Sequence, residues 1–149
     1  MKYKLKTIHA FFLLTNVFIV GSCSEIQYIK DLIIEDAYVN SSLQGKNITA
    51  GYLTITNNSP STIVIKEIYC EDAKDTFFHE VKKNSETGLI KMKTILEIKI
   101  LGKEQFSFYP NGNHLMLTGL VKPLKKGEEI SCIISSKIKI DYPLKFKVR

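Results

Sequence analysis

The sequence predicts an all-β fold of the antiparallel sandwich or barrel kind. Short runs of β-branched and aromatic residues follow one another along the chain, and clusters of Asn, Ser, Pro and Gly separate them. No stretch shows a convincing 3.6-residue apolar period, so amphipathic helices are not expected. Apolar and polar residues alternate clearly over 62–68 and 129–133. Such alternation is typical of strands that bury one face.

The first four predicted strands lie in the first half of the chain. Leu32–Val39 and Thr49–Asn57 are rich in Ile, Leu, Val and Thr, and the Asn-Asn-Ser-Pro turn over 57–60 ends the second of them. Asn and Pro favour turns because of their backbone preferences. Thr62–Tyr69 and Thr76–Val81 follow, the second with two adjacent phenylalanines.

Five further strands are predicted in the second half. Turn residues separate them: Asn-Ser at 84–85 lies before the first strand, Pro-Asn-Gly-Asn at 110–113 lies before the third, and Lys-Lys-Gly at 125–127 lies before the fourth. In chain order the five are Ile90–Ile95, Gln105–Tyr109, His114–Leu120, Glu129–Lys139 and Leu144–Val148.

The first 22 residues have the order of a signal peptide. Three lysines within the first six residues precede an apolar run over 10–20, and Gly21 and Ser22 follow it. The run is too short for a permanent membrane helix, so the pattern predicts export and removal of residues 1–22. The segment Val-Gly-Ser-Cys over 20–23 is similar to a bacterial lipobox, in which Cys23 would carry the lipid. Ordinary cleavage after Ser22 fits the same residues, and either outcome predicts a periplasmic or membrane-anchored protein that faces the periplasm.

Residues 23–149 are predicted to form one domain, which we expect to be monomeric. Loss of the leader with its three lysines lowers the formal net charge from +6 to +3. The remaining lysines are scattered over strand ends and turns, which is typical of protected sheet edges. A nucleic-acid-binding face would need them concentrated, so no nucleic-acid partner is expected.

Two cysteines remain besides Cys23. An oxidising compartment would let Cys70 and Cys132 form a disulfide, but the spacing is equally compatible with two separate buried thiols. They do not form a C-x-x-C pair, so a thioredoxin-type redox site is not indicated.

The candidate chemistry comes from the histidines and methionines. Outside the predicted leader the chain has two of each, His79, Met92, His114 and Met116, and all four lie within 38 residues of one another. Side chains alternate along a strand, so His114 and Met116 would share one face while the leucines beside them take the core. The alternative is structural: Met116 would pack against a second apolar layer and His114 would cap the turn after Pro110.

Three segments carry a family resemblance: AGYLTITNN over 50–58, the pair of His79 and Met92, and GNHLMLTGLVKPLKKG over 112–127, with 21 residues between Met92 and His114. Together they resemble the periplasmic copper chaperone family PCuAC. The resemblance implies a cupredoxin-like Greek-key β-sandwich that binds Cu(I) through His79, Met92, His114 and Met116. It also implies delivery of copper to an acceptor protein, with a cytochrome c oxidase subunit or another assembly factor as the usual recipient.

This sequence departs from the family pattern in two ways. Twelve residues separate His79 from Met92 where about ten are usual, so the turn over 84–88 is enlarged. The chain also lacks extra methionines in that loop and a tail rich in His and Met. We therefore expect a site for a single ion.

The four residues suit Cu(I) on chemical grounds as well. Thioethers are soft, uncharged ligands that favour Cu(I), whereas Zn²⁺ prefers Cys, His and carboxylate. No hydrolase, zinc-protease or paired-carboxylate motif is present, so an enzyme is not indicated. Two alternatives stay open, namely a sandwich for adhesion or other metal-free binding and a copper storage or resistance protein, because fold does not determine function.

Overall fold

The computed structural model describes residues 26–29, 31–42, 45–83, 85 and 87–149. These residues form eleven strands and no helix: β1 (Ile26–Ile29), β2 (Leu32–Val39), β3 (Ile48–Asn57), β4 (Ile63–Cys70), β5 (Ala73–Lys83), β6 (Ile90–Ile95), β7 (Ile98–Ile100), β8 (Gln105–Phe108), β9 (His114–Leu120), β10 (Glu129–Ser136) and β11 (Asp141–Val148). The predicted leader over 1–22 and Cys23 lie outside the described residues, so cleavage and lipidation stay predictions. Within the described part of the chain, no helix has the length and apolarity to cross a membrane.

The strands are joined by one continuous path of hydrogen-bonded pairs. Its order is β6-β5-β9-β3-β2-β11-β10-β4-β7, with β1 added to β2 and β8 to β3. The all-β prediction is confirmed. One pair departs from the antiparallel pattern, because the end of β11 runs parallel to the end of β2 at Lys147 and Val148.

Both halves of this path contribute to one core. Leu115 and Leu117 of β9 are buried together with Ile65 and Ile68 of β4, although β9 and β4 lie near opposite ends of the path. The hydroxyl of Thr76 on β5 donates a hydrogen bond to the carbonyl of Ile68, which ties the two ends. The sheet therefore folds over on itself, and its two halves pack face to face as a sandwich. Roughly every second residue of a strand points into the core between them.

The predicted strands agree closely with the observed ones, and the largest differences have local causes. The prediction missed the short strands β1 and β7 and started β11 at Leu144, after Pro143, because proline lacks a backbone donor. Pro143 is accommodated since it pairs with Ile133 on one side, while β2 pairs with β11 only near its end. The alternation in β4 breaks after Ile65 because an extra residue forms a bulge opposite β10.

The two cysteines form a disulfide. Cys70 ends β4 and lies directly opposite Cys132 of β10, and both side chains are buried. Of the two alternatives that the spacing left open, the structure has the disulfide. No thiolate is therefore available from these residues to bind a metal.

The turn after β3 is organised by Asn57, which is fully buried. Its side-chain amide donates to the carbonyls of Ser61, Ile100 and Leu101, and its side-chain oxygen accepts from Ser59. The predicted turn at this position is confirmed. It fixes one end of β3, the strand that pairs with β9 on the side away from β5.

Candidate metal centre

Two adjacent strands bring the histidines together. β5 and β9 run antiparallel with His79 directly opposite His114, and the pair Phe78 and Leu115 beside them points into the core. The two imidazole rings lie edge to face with their centroids 5.2 Å apart. Residues opposite each other in an antiparallel pair share a face, so both histidines point outward from the sandwich.

The turn before β9 fixes the orientation of His114. The amide of Tyr109 donates to the carbonyl of Asn113, and Gly112 lies so close to the Tyr109 ring that a Cβ atom would stand 2.1 Å from a ring carbon. His114 Nδ1 is 2.9 Å from the carbonyl oxygen of Gly112. A carbonyl can only accept, so Nδ1 carries the proton and the neutral ring has its lone pair on Nε2. This arrangement presents Nε2 as a metal ligand.

His79 has a nitrogen without a partner. Its Nδ1 is buried and makes no hydrogen bond to any residue that the structure describes. Burial, and then the neighbouring His114, lower the pKa of His79 below its ordinary value of 6.5. The imidazole is therefore neutral at pH 7 and can donate a lone pair. An unsatisfied buried polar atom in a native fold calls for an explanation, and a bound ion provides one.

Met116 lies beside the histidine pair on the same outward face. It is two residues from His114 on β9, with Ala50 of β3 opposite it on one side and Phe77 of β5 on the other. Met116 is partly exposed, while its neighbours Leu115 and Leu117 are fully buried. The predicted division of β9 into a core face and a His/Met face therefore agrees with the burial of these residues.

Met92 lies on the same outward face but on the other flank of the histidines. It pairs with Val81, two residues beyond His79 on β5, and 56% of its surface is exposed. β6 is the last strand of the path, and its residues 90–94 are all exposed. Met92 and His114 line one shallow depression, with Tyr52 among the other walls.

The register thus separates the two methionines. Met116 stands opposite Phe77 and Met92 opposite Val81, four residues apart along β5, which is about 13 Å, and on strands that lie on either side of β5. His79 is directly opposite His114 and diagonal to both methionines. The register therefore places Met116 and Met92 on opposite flanks of the histidine pair, each diagonal to His79, and Met92 lines a depression together with His114.

Three features of this site were missed at the sequence level. Phe77 stacks on His79 with ring centroids 6.4 Å apart, the Gly112 carbonyl orients His114, and Asn113 accepts a hydrogen bond from the Val81 amide at 3.3 Å. Two-residue periodicity in β5 would have placed Phe77 beside His79. The carboxylate of Glu80, the next residue after His79, pairs with Lys82 at 3.1 Å.

The donor set limits which metals fit. Among the described residues no group of three or more His, Cys, Asp or Glu could hold a metal ion. The metal-binding side chains beside the histidine pair are the thioethers of Met116 and Met92. Thioether donors favour Cu(I) over Zn²⁺ or hard divalent cations.

Solved structures share this fold. The copper-bound PCuAC domain from PmoF2 matches with a TM-score of 0.70 and 14% identity, covering 84% of this chain and 97% of that domain. Apo-DR1885 from Deinococcus radiodurans matches with a TM-score of 0.62 and 19% identity, over 100% of this chain and 96% of the other. CuI-DR1885 from the same organism matches with a TM-score of 0.60 and 21% identity, over 84% and 80%. The chain therefore has the PCuAC fold, as the sequence resemblance implied.

A family model also matches most of the chain. It covers residues 32–145, from β2 to the middle of β11, and is described as "Putative lipoprotein LpqE-like". No curated protein sequence matches the chain. The matched region includes the histidine pair, both methionines and both cysteines of the disulfide, and on this evidence the chain belongs to the LpqE-like family.

Proposed function

We propose that this protein is an exported copper chaperone that binds one Cu(I) and delivers it to an acceptor protein. The observation that carries the proposal is the pairing of His79 with His114, with Met116 beside them, on an outward face of the sandwich. His79 contributes a buried nitrogen that has no partner among the described residues, and His114 presents Nε2. Imidazole and thioether ligands carry no charge, so the occupied site would keep the single positive charge of Cu(I).

Met92 completes the proposed ligand set. Its strand β6 is an exposed edge strand, and β5 pairs with β9 only as far as His79, so displacing β6 and the end of β5 toward the histidines costs little. We infer that Met92 joins the ion by such a movement, because it and Met116 lie on opposite flanks of the histidine pair. The copper-bound PCuAC domain from PmoF2 and CuI-DR1885 support the choice of copper.

The destination and location of the carrier are part of the same proposal. An acceptor in cytochrome c oxidase assembly is the recipient that the family resemblance implies. The description of the LpqE-like family as lipoproteins supports export and a lipid on Cys23. Intact mass of the mature protein tests the lipid, since an unmodified mass for a chain that begins at Cys23 would contradict it.

Cu(I) affinity of the purified protein tests the site. Residues 24–149 are titrated against a chromophoric Cu(I) chelator, and one ion per chain is expected. His79→Ala, His114→Ala and Met116→Leu should each weaken binding by at least about tenfold. The Met→Leu changes keep side-chain volume, so they should leave folding largely intact.

Thr118→Ala is the matched control, since Thr118 is the next outward residue on β9 after Met116. Its Cu(I) affinity should equal that of the wild type. Met92→Leu reports on the hairpin: a loss as large as that for Met116→Leu supports its movement toward the ion. Equal affinity in wild type and in all four ligand variants would overturn the copper proposal and favour a metal-free binding sandwich.

A further inference from the structure

Val81 lies just beyond the point where β5 and β9 stop pairing. The last pair of that ladder is His79 with His114, and the same register would set Val81 opposite Gly112 if β9 began two residues earlier. In a continued antiparallel ladder the Val81 amide would donate to the Gly112 carbonyl. That carbonyl instead accepts from His114 Nδ1 at 2.9 Å. The Val81 amide therefore requires a different acceptor.

The side chain of Asn113 provides this acceptor. Its Oδ1 lies 3.3 Å from the Val81 nitrogen, and the residue is partly buried. The backbone of Asn113 is held in place as well, because its carbonyl accepts a hydrogen bond from the Tyr109 amide at 2.7 Å. The turn before β9 therefore supports β5 by one hydrogen bond beyond His79, while the Gly112 carbonyl is left to orient His114.

The hydrogen bond of Val81 also determines where Met92 stands. The two residues lie directly opposite each other in the β5–β6 hairpin. Since the Val81 amide points to Asn113 and away from β6, they form a non-hydrogen-bonded pair, in which the Cα atoms are about 4.5 Å apart and the side chains are close. β6 is the last strand of the path, so no described strand holds it from the other side. The position of Met92 relative to the histidines therefore depends on how Val81 is held.

We propose that Asn113 is a positioning residue that keeps Met92 within reach of an ion bound at His114. The inference rests on the proposed function and adds to it the residue that couples the hairpin to the histidine turn. Asn113 directly precedes His114, so one turn carries both a ligand and the group that holds the strand opposite the other ligand. A bond of 3.3 Å is at the long end of the range for N–H···O bonds, and movement of Val81 toward Asn113 shortens it.

The turn itself does not need the Asn113 side chain. The Tyr109 amide donates to the backbone carbonyl of Asn113, and the Gly112 amide donates to the backbone carbonyl of Tyr109. Both bonds remain when the side chain is changed. Loss of the side-chain oxygen should therefore act on the hairpin and leave the orientation of His114 unchanged.

Cu(I) affinity in a double-mutant cycle tests this role. Asn113→Leu keeps a similar side-chain volume and removes the acceptor, whereas Asn113→Asp keeps an acceptor oxygen. Asn113→Leu should weaken Cu(I) binding by about tenfold, as is typical when an outer partner of a metal site is lost. In the Met92→Leu background the same change should weaken binding by less than about twofold, because the ligand that Asn113 positions is already absent. Asn113→Asp should bind Cu(I) at least as tightly as the wild type.

Two controls separate the acceptor from other effects. Asn111 lines the same depression as Met92 and has a φ of 62°, which aspartate also tolerates. Asn111→Asp combined with Asn113→Leu places a charge near the site without an acceptor for Val81, so it should not restore wild-type affinity. Hydrogen exchange of the Val81 amide needs no copper. In the metal-free protein it should be about tenfold faster in Asn113→Leu than in the wild type and in Asn113→Asp.

The proposal is overturned if Asn113→Leu binds Cu(I) as the wild type does, or if its loss is equally large in the Met92→Leu background. It is also overturned if Met92→Leu itself keeps wild-type affinity, if the added charge alone restores binding, or if the Val81 amide exchanges equally fast in all variants. Should Asn113→Leu fail to fold, Asn113→Ala takes its place in the cycle.

The wild type and Met116→Leu are titrated first, so that the two failures can be told apart. A wild type that binds no Cu(I) refutes the proposed function. Copper binding that responds to Met116→Leu but not to Asn113→Leu refutes the role of Asn113 alone.

Discussion

Removing the disulfide should separate the stability of the fold from the chemistry of the site. Cys70 and Cys132 are joined across a sequence separation of 62 residues. Closing a loop of that length removes chain entropy from the unfolded state worth about 4 kcal/mol. For a domain of this size the corresponding fall in melting temperature is roughly 12–20 °C.

The paired substitution Cys70→Ala with Cys132→Ala is the appropriate change, because serine would add buried hydroxyls without partners. Both positions are buried and belong to β4 and β10, in the half of the path opposite to the histidine strands. The folded variant should therefore bind Cu(I) with wild-type affinity. Thermal unfolding measures the stability, and chelator competition well below the new melting temperature measures the affinity.

Reduction of the wild type with a thiol reagent provides an independent check. It should lower the melting temperature by a similar amount, whereas the alanine variant should not respond. A fall of only a few degrees in both cases would refute the loop-entropy reasoning. A folded variant that had lost copper affinity would show that the proposed ligand set is incomplete.

Two further predictions concern the residues around the histidine pair. The pKa of His79 is lowered in the folded state, so the unfolded state binds more protons below pH about 6.5. The stability of the apo protein should therefore decrease as the pH is lowered through that range. The slope of stability against pH should be smaller in His79→Asn. Melting curves between pH 5 and pH 8 measure it, and an unchanged slope would contradict it. Gly112→Ala should destabilise the fold by about 1–3 kcal/mol, since its Cβ would meet the Tyr109 ring. The Tyr109→Ala background should remove most of that cost in a double-mutant cycle, and full additivity would refute the contact as its cause.

Most of the fold could be predicted because strand signals are local. β2, β6 and β9 have the predicted bounds, since each is bordered by turn residues. The disulfide could not be derived, because it depends on β4 and β10 becoming neighbours although 62 residues separate their cysteines. The parallel pairing of β11 with β2 is equally non-local.

The site was predictable in part for the same reason. Alternation along β9 is a local property, so the shared face of His114 and Met116 follows from the sequence. The pairing of His79 with His114 depends on the register between β5 and β9, which a pattern within one strand does not define. The stacking of Phe77 and the free nitrogen of His79 follow from that register and were therefore missed.

The separated methionines are consistent with a protein that has to release its ion. On the proposed function, Met116 lies on β9 with a paired strand on each side, whereas Met92 belongs to the exposed edge strand β6. Opening an edge strand costs less free energy than opening a central one, because fewer buried contacts are lost. Met92 would then be the first ligand to leave, and its departure opens the side of the ion toward β6. An acceptor that approaches from that side would meet the copper where its coordination is weakest.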